Sequence, residues 1–140
     1  MTKIDKTNDL QNLGSNKTQY QYDKPAPKLL EVFDNQFPER NYLTEFTFQE
    51  FTSLCPKTGQ PDFAEVTIKY IPDKYCIETK SLKMYLLSYR QHGSFMETII
   101  NNILSHLVEI SSPRWMEITG KFNARGGTLI NVIAKYDGKN

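Results

Sequence analysis

The hydrophobic pattern of the chain changes its period twice, and this change restricts the folds that the chain can adopt. Apolar side chains alternate with polar ones over residues 44–70, recur at helical spacing over residues 82–110, and alternate again over residues 116–136. The predicted order is therefore strand–strand, helix–helix, strand–strand. A four-stranded antiparallel sheet with two helices on one face satisfies this order, which makes the fold class α+β.

The boundaries between these segments carry turn and cap residues. Gly93 separates the two predicted helices, Ser94 is a candidate N-cap for the second, and Gly126 and Gly127 predict the turn of the last hairpin. Such a sheet has two open edge strands, which are a liability unless they are paired or covered. Pairing the edges of neighbouring subunits closes a barrel, so we predict a ring-shaped homo-oligomer.

The length of 140 residues fits one domain. Residues 1–28 are polar, show no periodicity and end in Pro25-Ala26-Pro27, so we expect a flexible N-terminal tail or a strap lying on the domain. The single domain is then expected over residues 29–140. Between Lys28 and Tyr42 we expect one short turn of helix, broken at Pro38.

Charge and composition exclude several classes of function. The formal net charge of +1 gives no basis for direct binding to nucleic acid or to an acidic membrane. No apolar run of about 18 residues is present, so no membrane span is expected, and no signal peptide is apparent. Two cysteines are too few for a disulfide framework, which indicates a reducing, cytoplasmic protein.

The residues that could bind a soft metal ion do not form a metal motif. Cys55, Cys76, His92 and His106 lack the close paired spacing of common zinc sites, so no metal is expected and both histidines are interpreted as ordinary helix residues.

A loop rich in proline and glycine, between Cys55 and Asp62, holds the first candidate site. Cys55 is a candidate nucleophile there, and Lys57 is a nearby cation that would favour its thiolate. Asp62, if buried beside an apolar ligand, could donate a proton. A buried structural cysteine and a turn aspartate fit the same residues, so both interpretations stay open.

Two further groups of charged residues are candidates for ligand binding. Lys80 and Lys83 share one face at a helix start, where free backbone N–H groups and two ammonium groups suit phosphates, although a solvated helix face fits equally. Glu97 could accept two parallel hydrogen bonds from a guanine-like edge. Ser94 and Glu97 also match a capping box, in which the glutamate only supports the helix start.

Five short motifs in this chain form one recognisable set, and the likeness extends over residues 30–136. The motifs are Cys55-Pro56-x-Thr58-Gly59-Gln60-Pro61-Asp62, Glu78-x-Lys80-Ser81-Leu82-Lys83-x-Tyr85, Ser88-Tyr89-Arg90, Phe95-x-Glu97 and Gly120-Lys121-Phe122-x-x-Arg125-Gly126-Gly127. In these motifs the chain resembles the NADPH-dependent 7-cyano-7-deazaguanine reductases, the nitrile reductases of queuosine biosynthesis.

The resemblance implies the tunnelling fold in its short, single-module form, with stacked rings of subunits and active sites at subunit interfaces. It implies reduction of the nitrile of 7-cyano-7-deazaguanine to an aminomethyl group by two NADPH molecules, through a thioimidate on Cys55 and with a proton from Asp62. It assigns the base pocket to Ile77, Glu78, Thr79, Met96 and Glu97, and the cofactor phosphates to Lys80, Lys83 and Arg125.

Two positions depart from the family pattern. Met96 stands where the family usually has histidine, and methionine cannot donate a hydrogen bond or relay a proton. Thr79 stands where serine or leucine is usual, which is a milder change.

Other functions on the same fold stay open. An amidine-forming relative would trap the same nitrile and add ammonia, but such relatives lack the lysine-bearing element. A purine- or pterin-binding module that lost catalysis through Met96 is a second alternative. A pterin cyclohydrolase is disfavoured, because its zinc ligands are not present.

Overall fold

A computed structural model of the chain describes residues 2–12 and 18–138. Neither α-helix within these ranges is long and apolar enough to cross a membrane. The described elements, in chain order, are a 3₁₀ turn (Pro27–Leu29), β1 (Val32–Asp34), β2 (Thr44–Leu54), β3 (Pro61–Ile71), β4 (Tyr75–Ile77), α1 (Thr79–Leu87), α2 (Met96–Ser111), β5 (Trp115–Arg125) and β6 (Thr128–Asp137).

The main sheet has four antiparallel strands in the order β2-β3-β5-β6. Ile68 of β3 lies opposite Phe46 of β2 and Ile118 of β5, and Ile118 in turn faces Ala134 of β6. Residues directly opposite each other point to the same face, so the alternating pattern places all of these apolar side chains together. The predicted sheet and the two predicted helices are therefore confirmed.

Both helices cover the same face of the sheet. Val66, Ile68 and Ile118 are fully buried against apolar side chains of α1 and α2. A Cβ added at Gly120 would lie 2.5 Å from Cδ1 of Ile100, so glycine at this position allows α2 to approach β5 closely. The opposite face carries exposed apolar side chains instead, among them Leu129 and Ile133, which are 72% and 58% exposed.

A second, two-stranded sheet was not predicted from the sequence. The segment in which we expected one turn of helix contains a short 3₁₀ turn followed by β1, and β1 pairs antiparallel with β4. The backbone N–H of Ile77 in β4 donates to Tyr70 Oη at 2.8 Å, and both residues are buried. This bond fixes β4, and the residues that follow it, at the carboxyl end of β3.

Part of the N-terminal segment lies on α1 and its C-terminal extension. The carbonyl of Tyr22 accepts from the N–H of Gln91 at 2.6 Å, and the N–H of buried Ala26 donates to Ser88 Oγ at 3.1 Å. From Tyr22 to Ala26 the segment is thus a strap. Residues 1 and 13–17 lie outside the described residues, and the division into a tail and one domain at residue 29 stays a prediction.

Candidate active site

The loop that carries Cys55 is short and closed by its own backbone. The N–H of Cys55 donates to the carbonyl of Gln60 at 2.8 Å, and the N–H of Gly59 donates to the carbonyl of Cys55 at 3.0 Å. Gly59 has φ +71°, a left-handed conformation that glycine adopts without strain. Asp62, which we had expected in this loop, is the second residue of β3 and lies opposite Ser53.

The connection between the two helices holds this loop from the other side. Leu54 forms an isolated parallel bridge with Gly93, with hydrogen bonds from Leu54 N–H to the His92 carbonyl and from Ser94 N–H to the Leu54 carbonyl. A Cβ on Gly93 would come within 3.3 Å of the Cα of Pro56. The sequence had indicated Gly93 only as a helix stop, but its lack of a side chain also brings the start of α2 next to Cys55.

An open pocket of about 230 Å³ forms where the loop, the start of α2 and the end of β5 meet. It contains both predicted catalytic residues, two of the five predicted base-pocket residues and one of the three predicted phosphate-binding residues. Its lining consists of Cys55, Pro56, Asp62, Ser94, Phe95, Met96, Glu97, Arg125 and Ile130.

Hydrogen bonds within the loop favour the thiolate of Cys55. The side-chain hydroxyl of Thr58, then the backbone N–H groups of Thr58 and Lys57, lower the pKa of the Cys55 thiol, while desolvation and the Asp62 carboxylate oppose this shift. Donors to a sulfur anion stabilise the charged form, which is the nucleophile. We had expected the Lys57 ammonium to favour the thiolate, but it is the backbone N–H of Lys57 that lowers the pKa of Cys55.

We expect the substitution Thr58→Val to raise the pKa of the Cys55 thiol, because it removes the largest of the contributions that lower it. Alkylation of Cys55 by iodoacetamide, followed by intact mass across pH 5–10, measures this, and the midpoint should move to higher pH. Thr47→Val, a change of the same kind on an exposed position of β2, is the control and should leave the midpoint in place. An unchanged midpoint in Thr58→Val would contradict the assigned cause.

Glu97 is not used as a helix cap. We had considered a capping box formed by Ser94 and Glu97, but α2 begins at Met96 with Phe95 as its N-cap residue and no side-chain cap. The box fails because Ser94 N–H is bonded to Leu54, which holds Ser94 outside the helix start. The exposed carboxylate of Glu97 is therefore available to a ligand in the pocket.

Glu78, in contrast, caps α1, a role that the sequence analysis missed. Its carboxylate accepts from the N–H of Lys80 at 2.8 Å and from the N–H of Ser81 at 2.7 Å. These two backbone bonds, in that order, lower the pKa of Glu78. The backbone N–H groups that we expected to be free for a phosphate are thus occupied, although a carboxylate retains further lone pairs for a ligand.

The remaining predicted residues lie away from the Cys55 pocket. Ile77 is the last residue of β4 and is bonded to Tyr70 at the carboxyl end of β3, whereas Asp62 lies near the start of β3. The others come after β4, namely Glu78, Thr79, Lys80 and Lys83. Tyr70 is eight positions after Asp62 in the same strand, a distance of roughly 26 Å at about 3.3 Å per residue. Within one chain, the predicted site is therefore divided into two halves.

Asp62 and Arg125 form an ion pair inside the pocket. Arg125 Nε donates to Asp62 Oδ1 at 2.6 Å, Nη1 to Gln60 Oε1 at 2.9 Å and Nη2 to the Pro61 carbonyl at 3.0 Å. The Asp62 side chain is only 6% exposed. Arg125, assigned from the resemblance to the cofactor phosphates, contacts the predicted proton donor instead.

The other thiol and the histidines are not part of this pocket. Cys76 is buried with its Sγ 3.4 Å from Tyr42 Oη, and this hydrogen bond is the main reason why the pKa of Tyr42 is raised to about 12. His106 lies in α2 and shares a hydrogen bond with Tyr85, whereas His92 lies in the connection between the helices and not in a helix. Residues 2–12 and 18–138 contain no cluster of three or more His, Cys, Asp or Glu residues that could hold a metal ion.

The chain is similar in sequence to several proteins that share the same name. Residues 61–140 match a family model described as QueF-like protein. The chain is 49% identical over 131 residues to an NADPH-dependent 7-cyano-7-deazaguanine reductase of Nitratidesulfovibrio vulgaris, covering 94% of this chain and 79% of that protein. Reductases of the same name from Bacillus cytotoxicus (49%, covering 91% and 77%) and Streptococcus thermophilus (48%, covering 97% and 83%) are similarly close.

A comparison of structures agrees with the predicted fold. The crystal structure of the archaeosine synthase QueF-Like in its apo form superposes with a TM-score of 0.64 over 70% of this chain and 96% of that one, at 23% identity. At this level of identity the match establishes the fold alone, which is the tunnelling fold.

Proposed function

Because the chain belongs to the family of the NADPH-dependent 7-cyano-7-deazaguanine reductases, we propose that Cys55 is its nucleophile and Asp62 its proton donor. The activity of this enzyme is the NADPH-dependent reduction of the nitrile of 7-cyano-7-deazaguanine. The observation that carries the assignment of residues is the pocket that contains a thiol of lowered pKa together with a buried aspartate and a free glutamate.

Covalent attack by Cys55 makes the nitrile easier to reduce. Its Sγ bonds to the nitrile carbon, one π bond of the C≡N group breaks, and the released electron pair on nitrogen takes a proton from Asp62. The resulting thioimidate is a better hydride acceptor than the nitrile, so one difficult step is divided into easier ones. When the carbon has accepted a hydride, Cys55 leaves as the thiolate, and reduction of the imine gives the primary amine.

In this proposal Glu97 and Met96 form the part of the base pocket that lies in the same chain as Cys55 and next to it. The exposed carboxylate of Glu97 can accept from an N–H group and an exocyclic amine of the deazaguanine. Met96, beside Phe95, contributes an apolar wall without a donor. Its thioether cannot replace the proton relay of a histidine, so proton transfer here depends on Asp62.

We further propose that two chains complete one site. Ile77, Glu78 and Thr79, the other proposed base-pocket residues, lie at the Tyr70 end of β3, and Tyr70 is roughly 26 Å along the strand from Asp62, given about 3.3 Å per strand residue. A pocket of about 230 Å³ is also smaller than a site that encloses a ligand, typically roughly 300–1,000 Å³. The open edges of β2 and β6 and the exposed apolar face with Leu129 and Ile133 support self-association into a ring.

The residues proposed for NADPH fit a ligand with several phosphates. Lys80 and Lys83 are exposed on α1, and among the described residues neither forms an ion pair with a carboxylate. With Arg125 they supply three cationic side chains, which suit the pyrophosphate and the 2′-phosphate. NADPH, when bound, supplies the hydride.

Incubation with 7-cyano-7-deazaguanine and NADPH tests the function directly. We expect loss of nicotinamide absorbance with two NADPH consumed per amine formed, and a covalent adduct on Cys55 by intact mass when NADPH is omitted. Adduct formation without NADPH oxidation, or ammonia-dependent conversion of the nitrile, would favour the amidine-forming alternative. Binding of the base without any adduct would favour a binding module.

A further inference from the structure

Two roles proposed for Arg125 and Asp62 are incompatible with the contact between them. Asp62 must present a carboxylic acid to the nitrile nitrogen, and Arg125 must present its guanidinium to a cofactor phosphate. In the ligand-free chain the same guanidinium makes its three hydrogen bonds to Asp62, Gln60 and the Pro61 carbonyl. A guanidinium only donates hydrogen bonds, so in this pair Asp62 acts as an acceptor and not as a donor.

The position of Arg125 allows it to move without unfolding the sheet. It is the last residue of β5, followed by a turn in which Gly126 and Gly127 have φ values of +55° and +79°. The regular β3–β5 pairing ends at Ala64 and Phe122, and the β5–β6 register shifts between Phe122 and Arg125. Beyond this point the guanidinium joins the hairpin to residues 60–62, and the Arg125 side chain is 39% exposed.

A second partner for Asp62 is already in place. Ser53 lies directly opposite Asp62 in the β2–β3 register, is fully buried, and its hydroxyl is the one buried side-chain group in the described residues without a hydrogen-bond partner. A β-bulge between Phe48 and Phe51 moves the inward-facing positions of β2 from even to odd numbers, which turns Ser53 toward the helices. Side chains of opposite residues lie about 4.5–5.5 Å apart at Cβ, within reach of one hydrogen bond.

We propose that Arg125 and Ser53 are alternative partners of Asp62, and that Arg125 exchanges Asp62 for a phosphate of the dinucleotide. In the resting state the Arg125 guanidinium engages the Asp62 side chain inside the pocket, so that Asp62 is not available as the proton donor. When an anionic phosphate takes the guanidinium, Asp62 turns to the Ser53 hydroxyl and becomes able to carry a proton. This inference rests on the proposed function and adds a coupling between cofactor binding and the state of the proton donor.

The exchange has a thermodynamic consequence that does not depend on turnover. A ligand that binds only the released state has its affinity reduced by the fraction of molecules in that state. A change at Asp62 that weakens its contact with Arg125 should therefore tighten NADPH binding, and a change at Ser53 that removes its contact with Asp62 should loosen it. An arginine with a fixed role would give no such pair of opposite effects.

A double-mutant cycle without the nitrile substrate measures this coupling. NADPH affinity is followed by its fluorescence in the wild type, Asp62→Asn, Ser53→Ala, Arg125→Gln, and the two combinations with Arg125→Gln. We expect Asp62→Asn to tighten NADPH binding by about 5-fold and Ser53→Ala to weaken it by about 3-fold. In the Arg125→Gln background both effects should fall below about 2-fold, because the Asp62–Arg125 ion pair, which NADPH has to break, is already absent.

Controls separate the coupling from charge and folding. Lys121→Gln removes an exposed positive charge from the same strand and should change NADPH affinity by less than about 2-fold, whereas Arg125→Gln should weaken it by about 10-fold. Circular dichroism verifies that each variant is folded. If Asp62→Asn changed NADPH affinity by the same factor in the wild type and in Arg125→Gln, the proposed exchange would be overturned, while the reductase assignment would stay intact. Failure of the wild type to bind NADPH would remove the proposed function itself.

Discussion

Replacement of Cys55 by alanine should abolish reduction of the nitrile, lowering kcat/KM for 7-cyano-7-deazaguanine by about 10⁴-fold or more. The whole covalent route depends on a sulfur anion bonding to the nitrile carbon, and the other pocket residues cannot supply a nucleophile of similar strength. Loss of nicotinamide absorbance measures turnover, and intact mass with substrate alone measures the adduct. Both signals should disappear together.

Cys76→Ala is the matched control, because it removes the other thiol of the chain. Cys76 is buried beside Tyr42 and outside the Cys55 pocket, so this variant should form the adduct at a rate close to that of the wild type. NADPH affinity of Cys55→Ala should also be retained, because the proposed cofactor residues are untouched. Turnover that survived in folded Cys55→Ala would refute the covalent mechanism and the assignment of the pocket.

Elements whose own residues show a hydrophobic period could be predicted from the sequence. Elements that form only through contacts with residues far away in the sequence could not. The strands β3, β5 and β6 and both helices have side chains that repeat with one clear period, because one face of each is buried, and β2 shows the same alternation up to its bulge. The β1–β4 pair joins residues about 40 positions apart, and three-residue strands carry no usable period. A strap was one of the two structures expected for residues 1–28, but its path at Tyr22–Ala26 could not be predicted, because it is held by bonds to residues 88 and 91.

The site shows the same division between local and distant information. Cys55, Asp62 and Glu97 were found from motifs, and they do share one pocket. The Asp62–Arg125 contact joins residues 63 positions apart, and no pattern in the sequence predicts it. The Glu78 cap was missed because glutamate is not among the favoured N-cap residues.

Mixing two inactive variants should restore about a quarter of the wild-type activity if each site takes its halves from two chains. Cys55→Ala lacks the nucleophile, and Glu78→Gln lacks one carboxylate of the base pocket while retaining an oxygen that can cap α1. In randomly assembled oligomers from equal amounts of both, about one site in four combines an intact Cys55 with an intact Glu78 of the adjacent chain. Each variant alone should show little turnover.

The expected recovery of about a quarter of the wild-type activity comes from sites that take one intact half from each variant, and not from partial activity of either variant alone. Co-expression with two affinity tags, followed by sequential purification, ensures that both variants are in the same oligomer. A mixture of Cys55→Ala with Asp62→Asn is the control, since both substitutions fall in the half that one chain supplies, and here an intact pair cannot form at any interface. No restoration in the Glu78→Gln mixture would mean that one chain completes the site and that the proposed position of Glu78 is wrong. Restoration in the control would mean that Cys55 and Asp62 of one site come from different chains, which would contradict the proposed pocket.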